Sequence, residues 1–337
     1  MTKSKASHTA KSTIFSGKLK GMLTSWTWCA AVALMPAMAS AFPEKPVRIV
    51  VPSGAGGPTD MLARLVAERL GRVWKSGVII ENKPGAAQMI GTDYVAKASP
   101  DGYTLLLTSD GSITINPGLY PKMPYDPIKD LAPISKLATV PLVMVVHPSV
   151  AAKSVPEFVT LAKSTPGTIN FGSGGSISRI GAELFRSMTE IQLVHVPYKG
   201  SGPLVIGLLG NEVQMAFDGA SSSLPQIKAG KLRALAISSK ERLLTLPDVP
   251  TVAEAGVPGY ESGAWLGLFA PAGTPKDVLA KINEDFGQVM RSPDLQKRIA
   301  DLGMTSTATS QEAFASQIKT DTAKWTQLIK KTGMQAD

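Results

Sequence analysis

The 337-residue chain has a single cysteine, Cys29, which excludes a disulfide framework and any paired-cysteine zinc or redox site. Histidine is almost as scarce. His8, His147 and His195 are the whole complement, too few and too dispersed for a histidine-based metal site. No Gly-x-Ser-x-Gly elbow presents a nucleophilic serine, and no Walker sequence cradles a phosphate. Gly54-Ala55-Gly56-Gly57-Pro58-Thr59 stands where a dinucleotide fingerprint would stand, but its sixth position is Thr59 and the match fails. A continuous membrane-spanning run is also missing. The most apolar stretch, Met22 to Met38, is broken by Thr24, Ser25, Thr27 and Pro36. Charged residues make up 18% and hydrophobic residues 44%, a globular balance and not a disordered or collagen-like one.

The formal charge of +9 is unevenly placed. Residues 1–41 hold Lys3, Lys5, Lys11, Lys18 and Lys20 and no acid. A basic start, an apolar run and Ala37-Met38-Ala39 or Ala39-Ser40-Ala41 read as a cleaved secretion signal, with an uncleaved anchor as the alternative. Cys29 lacks the Leu-x-x-Cys context of a lipoprotein, and no twin-arginine pair is present. Without residues 1–41 the charge falls to +4 and no cysteine remains. The basic residues are scattered and not interleaved with aromatics, so nucleic acid is not expected as a partner. A thiol-free exported chain suits an oxidising compartment, and the periplasm is the expected location.

Past residue 41 the pattern is α/β. Val47–Val51, Val78–Ile80 and Tyr103–Leu107 read as strands, with helices from Thr59 and near Ile90–Lys97 between them, which is the signature of a parallel sheet. Residues 111–138 read as less regular. The alternation then restarts. Ser154-Val-Pro-Glu157 is a capping box opening a helix. Strands at 169–171, 192–196, 213–217 and 232–237 are separated by helices near 177–188, 203–209 and 224–229. One more strand is expected at 265–270. A helix capped at Thr274 with Pro275 in its first turn follows, and then two further helices, near 295–302 and 311–331. Helices without new strands pack on an existing sheet, so the C-terminal part is expected to return to the first domain. The expected division is a signal at 1–41, a first lobe at 42–140, a second lobe at 141–250, and a return to the first lobe at 251–337.

The informative chemistry lies in small-residue loops after the strands. Ser53, Gly56, Gly57 and Thr59 form the first, Ala86, Ala87 and Gln88 the second, and Ser173, Ser176 and Ser178 a third; Ser109 follows another strand. Loops at strand C-termini line the crevice of open α/β sheets. Glycine admits close backbone approach, and the free N–H groups of a helix start favour an anion such as a carboxylate. His195 sits in an apolar strand and reads as a core or edge histidine.

The same segments carry a resemblance. Phe42-Pro43-x-Lys45-Pro46-Val47-Arg48-Ile49-Val50-Val51-Pro52, Gly56-Gly57-Pro58-Thr59-Asp60 and Glu81-Asn82-Lys83-Pro84-Gly85-Ala86 resemble the tripartite tricarboxylate transporter substrate-binding family, also called the Bordetella uptake gene family. So do Pro100-Asp101-Gly102-Tyr103-Thr104-Leu105, Val196-Pro197-Tyr198-Lys199-Gly200, Leu246-Pro247-Asp248-Val249-Pro250-Thr251 and Phe269-Ala270-Pro271-Ala272-Gly273-Thr274-Pro275, in order along the chain.

The resemblance implies a two-lobed periplasmic-binding-protein fold of the type II, Venus flytrap kind, with two crossover connections. It implies no enzyme activity, cofactor or metal. The implied role is capture of a small carboxylate by a monomer, which delivers it to a small and a large integral membrane permease subunit. Presentation of the ligand to a membrane sensor and an exported α/β hydrolase are the alternatives. The family's loops place the ligand against 53–60 and 85–91. Tyr198, with Lys199 at the rim, Asp218 and Arg179 are further candidates from the second lobe. Arg179 stands where histidine is common and could pair with a distal carboxylate. Asp218 suits an ammonium or a hydroxyl. Asp60 reads as a helix-start residue, and Ser53 replaces a common aromatic.

Overall fold

Three strands rich in β-branched and leucine side chains found the first sheet: Val47–Val51 (β1), Val78–Asn82 (β2) and Thr104–Ser109 (β3). The computed structural model describes residues 42–198 and 200–336, so the expected secretion signal and Lys199 lie outside the described residues. β1 pairs in parallel with β2 and β3. Helices Pro58–Trp74 (α1) and Met89–Ala96 (α2) make the connections. Residues 111–138 are more regular than their sequence suggests. They hold a wide helical turn, Gly111–Ile115, the short helix Asn116–Leu119 (α3) and the ten-residue strand Leu131–Val140 (β4). The β4 sequence contains Pro133, Lys136 and the small polar residues Ser135 and Thr139, and local propensity does not mark it as a strand. Pairing imposes the conformation. β4 runs antiparallel to Ala264–Pro271 (β10), and the ladder absorbs Pro133 at a register shift opposite Phe269.

The second sheet is built from Leu142–Val146 (β5), Asn170–Ser173 (β6), Val194–Pro197 (β7), Met215–Gly219 (β8) and Arg233–Ile237 (β9). Its helices are Val155–Ser164 (α4), Ser176–Thr189 (α5), Ser201–Leu209 (α6) and Ala220–Lys228 (α7). After β10 come Lys276–Met290 (α8), Pro293–Asp301 (α9), the two-residue strand Thr305–Ser306 (β11) and Gln311–Thr332 (α10). The sheet orders are β11-β4-β10-β3-β1-β2 and β7-β6-β8-β5-β9. Each sheet therefore has three parallel strands beside one antiparallel strand that arrives from the other sheet.

Alternation along the strands buries both faces of each sheet. Val47, Ile49 and Val51 pack against Leu62, Val66 and Leu70 of α1 and Ile282 and Phe286 of α8. Val50, Leu106 and Phe269 pack the other way, against Val95 and against Phe314 and Ile318 of α10. A side chain at Gly267 would place its Cβ 2.3 Å from the Phe314 ring, which explains glycine inside β10. α4 opens as read: the Ser154 hydroxyl accepts from the Glu157 amide. α8 does not open as read. It begins at Lys276 behind Pro275, and the Thr274 hydroxyl instead donates to the Pro271 carbonyl at 2.8 Å.

The chain crosses between sheets twice. Pro141 alone separates β4 from β5, and residues 238–263 separate β9 from β10. The return to the first sheet comes later than residue 251. Thr251 bridges Ile237, and Val252, Val257 and Tyr260 bury in the core of the second sheet. Their apolar side chains fix that segment there. The two crossovers are pinned together by Ser238, which is fully buried. Its hydroxyl accepts from the Leu142 amide and donates to the Ser262 carbonyl, each at 2.8 Å. We predict that Ser238→Ala, which leaves both buried partners unpaired, lowers unfolding stability by about 1–3 kcal/mol, measured by the chemical denaturation midpoint. An unchanged midpoint would show that the crossovers hold without this pin.

Candidate functional site

Strand register dictates where a site can form. Ser109, at the C-terminal end of β3, lies opposite Leu266 near the start of β10, and Ala264 lies opposite Val140 at the end of β4. Gly219, at the C-terminal end of β8, lies opposite Leu142 at the start of β5. Since Pro141 alone joins β4 to β5, the C-terminal ends of the parallel strands of both sheets meet at one seam along the crossovers. The loops after β1, β2 and β3 border it from the first sheet, and those after β6, β7 and β8 from the second. Apolar contacts hold the sides together: Ile180 of α5 clusters with Ile115, Leu119, Trp325 and Ile329.

The helix starts at this seam share a chemistry. α1, α5, α6 and α7 each follow a parallel strand and open on Gly57, Gly175, Gly200 and Gly219, with no side chain capping the first-turn amides. α4, α9 and α10 follow no such strand end. They open on Ser154, Ser292 and Ser310, whose hydroxyls accept from the amides three residues on, whereas α8, behind the antiparallel β10, opens on Pro275 without a cap. Uncapped helix starts present N–H donors and the positive end of the helix dipole.

The first loop is held by Asp60, which is 2% exposed. Its Oδ2 accepts from the Gly56 amide at 2.9 Å and from Arg64 Nε at 3.0 Å, and its Oδ1 accepts from Asn82 Nδ2 at 3.0 Å. Asn82 Nδ2 also donates to the Ser53 carbonyl at 3.0 Å. Asp60 is thus a loop organiser. Burial pushes its pKa up, but the bonds from Arg64, Gly56 and Asn82 outweigh burial and hold it below its ordinary value. The Ser53 hydroxyl is buried without a hydrogen-bond partner.

The second loop is strained. After Gly85, the residues Ala86, Ala87 and Gln88 all have left-handed φ, at 46°, 50° and 71°. Each costs about 1–2 kcal/mol for a residue with a Cβ, and such runs persist only where the surroundings hold them. Here Asn116 Nδ2 donates to the Ala87 carbonyl at 2.9 Å and the Thr92 hydroxyl to the Gln88 carbonyl at 2.9 Å. Gln88 Oε1 accepts from Thr108 and from Ser109, at 2.9 and 3.0 Å. The structure therefore joins two expected site residues, Gln88 and Ser109, directly.

In the second sheet several candidates are engaged within the protein. Ser173 Oγ lies 2.7 Å from His195 Nε2, and Ser178 donates to the Phe217 carbonyl at 2.5 Å. The Tyr198 hydroxyl donates to Glu212 at 3.0 Å, and burial together with that carboxylate raises its pKa. Arg179 Nη1 donates to the Gln335 carbonyl at 3.0 Å, so this guanidinium anchors the C-terminal segment. Asp218 differs. It is buried, its Oδ2 accepts from Ser222 and Ser223 at 2.5 and 2.7 Å, and its Oδ1 has no partner. Thr59 is buried at the start of α1, and Ser176 is the first residue of α5.

Thr108 and Asn116 were not singled out from sequence, and Asn82 appeared only within a family segment, although each positions a loop. Among the described residues no group of three or more His, Cys, Asp or Glu side chains could hold a metal, and no helix is long and apolar enough to cross a membrane.

The chain is similar to known proteins. The profile of the tripartite tricarboxylate transporter family receptor matches residues 62–334. Protein BugT of Bordetella pertussis is 34% identical over 301 residues, covering 88% of this chain and 92% of BugT. Among solved structures, Rpa4515 of R. palustris with adipate is 33% identical, with 88% of this chain and 100% of that one covered and a TM-score of 0.77. MatC from Rhodopseudomonas palustris with bound malate is 32% identical, with coverages of 86% and 100% and a TM-score of 0.72.

The Asp60 network predicts a pH dependence. A lowered carboxylate pKa adds stability that is present above the unfolded value, near 3.8, and is lost as pH falls through the folded value. The wild-type thermal midpoint should therefore exceed that of Asp60→Asn at neutral pH and converge with it as pH falls below about 4. A pH-independent difference would exclude the carboxylate charge as the cause.

Proposed function

Because the chain belongs to the tripartite tricarboxylate transporter receptor family, we propose that it is an extracytoplasmic solute-binding protein. It captures a small carboxylate at the seam between its two lobes and delivers it to a membrane permease with a small and a large subunit. The observation that carries this reading is the contrast in helix starts: glycine without a cap where helices meet the seam, serine caps on α4, α9 and α10.

Uncapped amides on both sides suit a ligand with a carboxylate at each end. One end rests on the first-lobe loops, where Asp60 and the strained turn at Ala86–Gln88 hold the backbone in place before the ligand arrives. Such preorganisation reduces the ordering cost of binding. The other end meets the starts of α5 and α7. Recognition by amide dipoles needs no buried cation, which would itself demand a partner. Adipate and malate, bound by the two relatives, have this chemistry, and a C4–C6 dicarboxylate is the proposed class. The unpartnered oxygen of Asp218 would accept from a hydroxyl or an ammonium on the ligand, adding selectivity along its length.

Closure follows from bridging. A ligand shifts an open–closed equilibrium only by its differential affinity for the two states, and a two-ended acid touches both lobes only when they are closed. Export across the inner membrane and residence in the periplasm complete the reading. Binding without turnover is proposed, with the Ser173–His195 pair serving to orient the β6 loop.

Thermal unfolding with malate, adipate and monocarboxylate controls tests this. A dicarboxylate at 100 times its dissociation constant should add about 2.7 kcal/mol, and Ser53→Phe should weaken its binding by tenfold or more, on the order of 1.4 kcal/mol. Conversion of the acid into a product, or no stabilisation by any carboxylate, would refute the proposal. Full affinity in Ser53→Phe would remove Ser53 from the pocket wall.

A further inference from the structure

A cavity of about 430 Å³ lies beside the crossovers, on the side of α10. It shares no wall with the loops at 53–60, 85–91 and 173–178. The end of β3, the end of β4, the second crossover and α10 enclose it, and each contributes charge. Asp110, Asp321 and Glu261 supply carboxyl groups; Lys136, Lys240 and Lys324 supply amines.

These charges are incompletely paired. Lys240 reaches Glu261 at 3.4 Å, and Lys324 Nζ donates to the Glu261 carbonyl at 2.7 Å. Trp265 Nε1 donates to Asp321 Oδ2 at 2.9 Å. Asp110 is 1% exposed, and its Oδ1 has no hydrogen-bond partner. Among the described residues, neither Asp110 nor Asp321 lies within 4.0 Å of the Lys136 or Lys324 amine, and Lys136 makes no ion pair. Asp110 and Asp321 on one side and Lys136 and Lys324 on the other thus face one cavity and stop short of contact. A buried acceptor without a donor is costly, and so is a desolvated ammonium without a counter-charge.

We propose that this cavity is a second ligand site, which takes a small zwitterion of the α-amino acid type, with its ammonium on Asp110 and Asp321 and its carboxylate on Lys136 and Lys324. A simple anion would meet Asp110 and Asp321, and a simple cation would meet the lysines. Only a molecule carrying both charges a few bonds apart complements both walls. Burial, reinforced by the nearby Asp321, raises the Asp110 pKa above its ordinary value. Burial likewise lowers Lys136 and Lys324 against the opposing pull of Asp321 and Glu261. Each of these displacements is one that the matching end of a zwitterion relieves.

The test is isothermal titration of the protein with L-alanine, using acetate and methylammonium as probes that each carry one of the two charges. Alanine should bind at least about tenfold more tightly than either, the scale of one charge-assisted hydrogen bond. Lys136→Met and Asp110→Asn should each weaken alanine by about tenfold or more, with Lys136→Met keeping the wild-type thermal midpoint. If Asp110→Asn fails to fold, Lys136→Met decides. Absence of alanine binding at millimolar concentration overturns the proposal. So does Lys136-dependent acetate binding as tight as that of alanine, or full alanine affinity in Lys136→Met.

Discussion

The register of the strands at the crossovers is the constraint on which the rest depends. β4 runs to the seam and ends there, one proline intervenes, and β5 runs away from it in the other sheet. Because β10 pairs antiparallel with β3, and β5 with β8, this one step fixes the direction of every parallel strand relative to the seam. The right-handed connections of parallel strands then bring each following helix back with its first turn at the same edge. A shift of this register would separate the helix starts without altering a single loop sequence.

Given that arrangement, the N-cap residue decides what a helix start can do. A serine, as at Ser154, Ser292 or Ser310, closes one amide with its own hydroxyl. Glycine leaves it open, and the cost relative to a good cap is only a few tenths of a kcal/mol. Four such openings are a small total sacrifice. The larger expense is conformational, in the left-handed run Ala86-Ala87-Gln88, and the protein offsets it with side chains drawn from α2, α3 and β3. Asn116 and Thr92 hold its backbone carbonyls, and Thr108 and Ser109 hold the Gln88 side chain.

What could be read from sequence divides along the same line. The two α/β units, the glycine loops and their position after strands were legible, because turn residues and apolar periodicity act locally. β4 was not, because its strand conformation comes from pairing with β10, far along the chain. Nor were the fates of individual side chains. Arg179 is claimed by the carbonyl of Gln335 and Tyr198 by Glu212, and nothing in the residues beside them announces those partners. The lobe boundary was missed for a related reason. Val252, Val257 and Tyr260 are apolar in either lobe, and only packing assigns them to the second. The positions of the loops were therefore readable, and the hydrogen-bond partners of individual side chains largely were not.

Under the proposed function, the two kinds of contact between the lobes would also divide the work of closure. The α5 contact through Ile180, Ile115, Leu119 and Ile329 is apolar, and apolar attraction is non-directional. It tolerates a small rotation with little loss. Hydrogen bonds from helix-start amides weaken steeply once the donor angle departs from linear. A ligand at the seam therefore senses the angle between the lobes far more sharply than the apolar cluster does. The area buried beside α10 keeps the lobes associated, and under the proposed function the placement of the ligand's two charged ends would select the angle at which they meet. Ligand length, more than ligand size, should then govern which acids are retained.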